Sequence, residues 1–188
     1  MFDDIITSRL VLRKLNLADS EALFRYRTDP DVSRYQNWKP LTIEDARQFV
    51  ETLANLEPDT PGSWFQLAIT MRETGELIGD CGIHFPVEET RQAEIGITLA
   101  PAYQGKGYAL EALVAVLDFL FVTLRKHRVV ASVDPGNQPS IALLERLGMR
   151  KEAHFRESLW FKGAWADDVI YAILEREWRP QPPPLKSK

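Results

Sequence analysis

Residues 93–113, AEIGITLAPAYQGKGYALEAL, constrain the fold of this chain more than any other stretch. Ile95, Ile97 and Leu99 alternate with Glu94, Gly96 and Thr98, the two-residue period of a β-strand. Pro101 ends the ladder, because it has no N–H to donate. Gln104, Gly105, Lys106, Gly107, Tyr108 and Ala109 follow, and from Ala109 the pattern turns helical, with Leu110, Leu113, Val114, Leu117 and Leu120 apolar. A helix start leaves backbone N–H groups without partners at the positive end of the helix dipole. Small residues at that point let an anion reach those amides, so the turn is suited to phosphate.

The rest of the chain alternates in the same way. Residues 8–17 read as an opening strand, and 19–29 as a helix with Ala22, Leu23 and Tyr26 on one face, stopping before Pro30. Residues 31–40 read as irregular and hold Tyr35 and Trp38. Thr42 with Asp45 three residues later has the form of a capping box, opening a helix that ends near Leu56. Strands 64–71 and 77–85 form a hairpin around Gly75, and residues 86–92 lead into the strand described first. Residues 127–133 form a strand after the long helix, which makes it parallel to the strand before that helix. Asn137 suits an N-cap with Pro139 just inside the helix, and Gly148 suits its C-cap. Residues 149–161 and 167–175 make a last hairpin around Lys162, Gly163, Ala164 and Trp165. The order is β-α-α-β-β-β-α-β-α-β-β, an α/β (α+β) domain with a mixed, mostly antiparallel central sheet flanked by helices.

These elements fill one domain over residues 1–178, and 179–188, with four prolines, read as a disordered tail. Charge argues against nucleic acid as partner: the net value is −4 and no long basic run stands out. The longest apolar run, 114–124, is too short and interrupted to span a bilayer, and the start lacks the layout of a secretory signal. A lone cysteine, Cys81, has no internal partner, which fits the cytoplasm. Cys81 lies in the apolar run LIGDCGIHF and reads as a buried thiol rather than a nucleophile. His84, His127 and His154 lack metal-ligand spacing, so no metal is expected.

Two phosphate motifs fail at the glycine turn. A Walker A loop needs Lys-Ser or Lys-Thr after its last glycine, and Tyr108 follows Gly107. A Rossmann fingerprint needs three spaced glycines in a parallel βαβ unit near the start. What the turn does resemble is the Q/R-x-x-G-x-G/A signature of the GNAT superfamily of N-acetyltransferases. Asn137, Gln138, Pro139 and Ser140, followed by LLERLGM at 143–149, resemble the N-x-x-S segment of its RimJ/RimL-like branch, and Phe155, Arg156, Glu157 and residues 162–171 resemble its closing hairpin. The resemblance runs from Arg9 to Trp178.

The resemblance implies transfer of an acetyl group from acetyl-CoA to a primary amine, either a protein N-terminus or a small molecule. By the same likeness, the pyrophosphate sits on the amides of Gln104, Gly105, Lys106, Gly107, Tyr108 and Ala109. The pantetheine arm pairs with the strand edge at Ile97 and Leu99 and meets Asn137, and a backbone N–H near Leu99 faces the reacting carbonyl oxygen. Pro101 is the expected cause of the splayed strand. Glu94 matches a general-base position and Ser140 the serine that protonates the leaving thiolate; Tyr35 and Trp38 fall where the family shapes its acceptor pocket. Residue chemistry alone leaves rivals open at each point: an exposed strand carboxylate for Glu94, first-turn hydrogen bonding for Ser140, a solvated lysine for Lys106, core packing for the aromatics. It also leaves open a non-catalytic acyl-CoA sensor or scaffold. Family habit is the one ground for a homodimer.

Overall fold

The computed structural model describes residues 2–179, so the proline-rich segment from 180 on lies outside the described residues. Eight strands form one sheet in the order β1-β2-β3-β4-β5-β6-β8-β7. They are β1 (Ile5–Ile6), β2 (Leu10–Lys14), β3 (Ser63–Met71), β4 (Leu77–Phe85), β5 (Gln92–Leu99), β6 (Arg128–Val133), β7 (Arg150–Phe161) and β8 (Ala164–Leu174). Every neighbouring pair is antiparallel except β5 and β6, which the crossover through the long helix makes parallel. The hairpin glycines stand where the sequence needs them: Gly75 and Gly163 take φ of +72° and +85°.

Each face of the sheet has its own apolar cluster. On one, α4 (Tyr108–Asp118) packs Leu113, Val116 and Leu117 against Ile83, Ile95 and Val129. On the other, α1 (Ser20–Arg27) and α3 (Ile43–Leu53) bring Leu23, Tyr26, Ala46 and Val50 over Ala68 and Leu77. The capping box holds as expected: Thr42 Oγ1 accepts from Asp45 N, and an Asp45 carboxylate oxygen accepts from Thr42 N at 2.9 Å. The remaining helix, α5 (Gln138–Arg146), starts on Asn137, whose side chain accepts from Ser140 N at 3.3 Å.

Two elements depart from the sequence reading. The opening strand, expected over 8–17, is confined to Leu10–Lys14 with β1 paired beside it, because residues 7–9 turn off to reach Glu111 and Asn16 caps a 3-10 turn over Leu17–Asp19. Residues 31–40 are not wholly irregular: Asp29 caps a single turn, α2 (Pro30–Ser33), through Asp31 N and Val32 N. The final turn after α4 also widens to a π turn over Phe119–Thr123, a change invisible to hydrophobic periodicity, which stays apolar throughout.

Candidate active site

The central parallel pair comes apart. β5 and β6 pair only at Gln92, Ala93 and Glu94, opposite Arg128, Val129 and Val130. Beyond Glu94, β5 stays with β4 to Leu99, while β6 stays with β8 to Val133. A V-shaped notch therefore opens at the middle of the sheet. It begins at Ile95, six residues before Pro101, so the proline is not its cause; the two strands simply keep to their antiparallel partners. Ala100 N donates to Ile78 O at 2.8 Å, which fixes the alternation along β5. Its even-numbered residues aim their backbone groups at β4, and Ile97 and Leu99 aim theirs into the notch. This is a bare strand edge inside a protein, and an extended amide-bearing chain can complete it.

The glycine turn closes the far end. Gly105 and Gly107 have φ of +72° and +81°, a region that penalises a side chain, and Gly107 is the residue from which α4 starts. Gln104 Nε2 donates to Leu99 O at 2.9 Å, tying the turn to the strand end. Arg9, which the sequence did not single out, braces it from outside. Its Nη1 donates to Lys106 O at 3.1 Å, its Nε pairs with Glu111 at 2.6 Å, and its guanidinium lies 4.4 Å from the Tyr108 ring centroid. Glu111 also accepts from Thr7, Ser8 and Arg9 N. Burial acts to raise the Glu111 pKa, but these hydrogen bonds outweigh it and hold the carboxyl below its ordinary value. The turn is thus preorganised with its exposed amides at a helix N-terminus, next to a cation.

A cavity of about 470 Å³ fills the notch and the layer above it. Glu94, Ile97, Asn137 and Ser140 all line it, as do Tyr35 and Trp38. Leu99 and residues 104–109 lie beyond its lining; the Leu99 side chain is buried and only its backbone faces the notch. Burial raises the Glu94 pKa, His84 on the paired strand opposes that, and Asp168 adds to it. Ser140 spends its backbone N–H on the cap from Asn137, and its hydroxyl has no partner among the described residues. Trp38 stacks on Phe49 at 4.2 Å, so it both packs the helical layer and lines the cavity. Tyr35 donates to Gly136 O at 3.3 Å, and Lys162 Nζ donates to Ser33 O at 2.5 Å; together these tie α2 to both neighbouring walls.

Beneath the cavity lies a buried polar cluster. Asp80 accepts from Tyr26 Oη at 2.5 Å and from Arg27 and Gln66, and Arg27 reaches on to Gln36 at 2.8 Å. Burial, with the Asp80 charge, pushes the Tyr26 phenol well above its usual value. One signal in the sequence pointed here: Asp80 is the single charge inside the apolar run LIGDCGIHF. Cys81, next to it, is fully buried, and burial raises its thiol pKa, against any nucleophilic role. Among the described residues no group of three or more His, Cys, Asp or Glu side chains could hold a metal, and no helix is long and apolar enough to cross a membrane.

A mixed sheet with its parallel pair splayed over a glycine turn and a helix start defines a class of acetyltransferase fold. The profile described as "Acetyltransferase (GNAT) domain" matches residues 9–150, and the chain belongs to that family. It is 36% identical over 177 residues to p20, an uncharacterized N-acetyltransferase of Bacillus licheniformis, covering 94% of this chain and 98% of that protein. It is 30% identical over 183 residues to the [ribosomal protein uS5]-alanine N-acetyltransferase of Escherichia coli, covering 94% and 93%. Among solved structures, a GNAT-family acetyltransferase from Bacillus anthracis superimposes with TM-score 0.84 at 33% identity, covering 93% of this chain and all of that one. RimJ of Mycobacterium smegmatis, solved with CoA-disulfide, does so with TM-score 0.79 at 27% identity, covering 92% and 84%. The protein is an N-acetyltransferase, as the sequence resemblance implied.

Proposed function

We propose that this chain, over 1–178, binds acetyl-CoA along the β5 edge and the glycine turn and passes its acetyl group directly to a primary amine. The observation that carries this is the splay of β5 from β6 above two positive-φ glycines. The bare N–H and C=O groups of Ile97 and the N–H of Leu99 match the amides of a pantetheine arm, and the exposed turn amides match a pyrophosphate. Asn137 keeps its Nδ2 free to meet the same arm, since its cap uses Oδ1. Bound here, acetyl-CoA supplies an acyl group activated as a thioester.

The residues divide the work by position. Glu94, with its raised pKa, takes a proton from the acceptor ammonium. Leu99 N–H, in the notch, donates to the carbonyl oxygen as charge builds there. Ser140, its hydroxyl unengaged, gives the proton that the departing sulfur needs. The acceptor is a protein N-terminus or a small amine; the Escherichia coli relative named for a ribosomal-protein alanine supports the former. Cytoplasm is the matching compartment. Two copies, as the family habit implies, would meet along the outer strand β7, where Trp160 of β7 and Trp165 of the paired β8 stand 65% and 60% exposed. Calorimetry with acetyl-CoA, followed by free-thiol release with a panel of amines, tests the reading. Saturable binding and amine-dependent thiol release are expected; no binding would overturn it, and binding without release with any amine would favour a sensor.

A further inference from the structure

β5 carries a glycine that has no local reason to be one. Of the ten glycines in the chain, six take a positive φ, and at three more, Gly79, Gly82 and Gly136, a Cβ would stand 3.0 Å or less from another atom. Gly96 has neither feature: its φ is outside the left-handed region, and a Cβ built there meets nothing within 4 Å. It sits in the interior of a central strand, where glycine weakens a sheet relative to a residue with a side chain. Stability is given up at this position for something other than packing.

The surroundings give the reason. Gly96 is exposed although β5 lies inside the eight-stranded sheet, and it lines the cavity. It shares a sheet face with Glu94, two residues or about 7 Å along the strand. On one side its register partner is Gly82, which also lines the cavity. A Cβ on Gly82 would meet Gln66 at 2.9 Å and Trp64 at 3.1 Å, so no side chain fits there either. That wall is fixed: Trp64 stacks on His84 with ring centroids 5.0 Å apart, and Asp80 accepts from Gln66. On the other side β6 has already parted from β5, so no paired strand covers Gly96. The result is a strip of bare backbone two strands wide, next to Glu94 and bounded by an aromatic ring.

Gly96 stands between Glu94 and the notch-facing Ile97 and Leu99, so an amine that passes from the base to the thioester crosses this strip. We propose that Gly96 is bare for the acceptor: the carbon bearing the amine rests on the β5 backbone there, and the absent side chain sets how bulky an amine the site takes. This rests on the acetyl-transfer reading above and adds the residue that fixes acceptor size. One methyl group is enough to discriminate, since a single methylene in a pocket changes specificity about 10–200-fold. The class that gains from a bare floor is the amine on a branched carbon, such as the α-amine of an amino acid or peptide. Its second substituent needs the space that a Cβ at Gly96 would fill.

The test compares methylamine, n-butylamine and L-alaninamide as acceptors in the full-length chain. Gly96→Ala should raise the KM for L-alaninamide about ten-fold more than that for methylamine, with n-butylamine between them, and Gly96→Val should widen the gap. In Gly96→Ala, calorimetry should give a Kd for acetyl-CoA within about two-fold of the unmodified protein's. The urea midpoint of that variant should hold or rise, because alanine costs a strand interior less than glycine does. Lost selectivity for the branched amine in a protein that is no less stable is a result that a packing role for Gly96 does not give. Equal changes for all three amines, no change for any, a weakened acetyl-CoA complex or a lower urea midpoint would each overturn the proposal. Failure of the unmodified protein to bind acetyl-CoA, or to acetylate any of the three, would instead overturn the acetyl-transfer reading itself.

Discussion

At the scale of single residues, the site depends on side chains whose partners leave part of them free. Ser140 has a capped amide and an open hydroxyl, and Asn137 uses one end of its amide as a cap. Glu94 shares a sheet face with His84 on β4, and its pKa is raised, first by burial. Its direction fixes the pH behaviour. A base must be deprotonated to act, so kcat/KM should fall on the acid side through a limb that lies above the usual glutamate value. Glu94→Gln should lower kcat by about 10²–10⁴-fold and abolish that limb. Ser140→Ala should lower kcat with little change in the KM for acetyl-CoA, measured by thiol release. The sequence named Glu94 and Ser140 only through family likeness. It could not separate Ser140's hydroxyl from its amide, because which of the two the cap consumes is a matter of geometry.

Among the elements, the turn before α4 is the one whose form decides whether an anion can bind. Its glycines were legible because positive φ at Gly105 and Gly107 leaves a mark in composition. Its brace was not, because Arg9 lies about a hundred residues away along the chain and reaches Lys106 and Glu111 only after β2 is in place. Arg9→Ala should loosen the turn and remove the nearby cation, raising the KM for acetyl-CoA about ten-fold while kcat changes little. Steady-state kinetics with acetyl-CoA as the varied substrate checks this. An unchanged KM would make Arg9 a surface residue and nothing more.

For the molecule as a whole, the two apolar clusters on opposite faces of one sheet meet different demands. The α4 face supplies the larger apolar core, with Lys126 buried at its edge on Asp59 and the Thr90 carbonyl. The α1–α3 face must also roof a polar cavity, and it is fastened by the buried Asp80 cluster rather than by apolar packing alone. Asp80→Ala would leave the Arg27 guanidinium, at 8% side-chain exposure, buried without its counter-charge. Loss of one partner of a buried pair costs about 3–5 kcal/mol, and urea unfolding of the variant should show a drop of that size. A drop below about 1 kcal/mol would mean that water reaches the cluster.

Local pattern by itself determined the alternation of strands and helices, both hairpins, the caps at Thr42 and Asn137, and the glycine turn. Each of these is set by near neighbours in the chain, through side-chain period, φ preference or a side-chain-to-backbone hydrogen bond. It missed β1 and α2, which are too short to show a period. Only the tertiary structure decided where β5 and β6 part, since strand separation depends on which partner each strand keeps. The same holds for the cavity's lining: Ser132 and Asp168 join in one hydrogen bond because β8 returns beside β6, a pairing set by contacts far apart in the sequence.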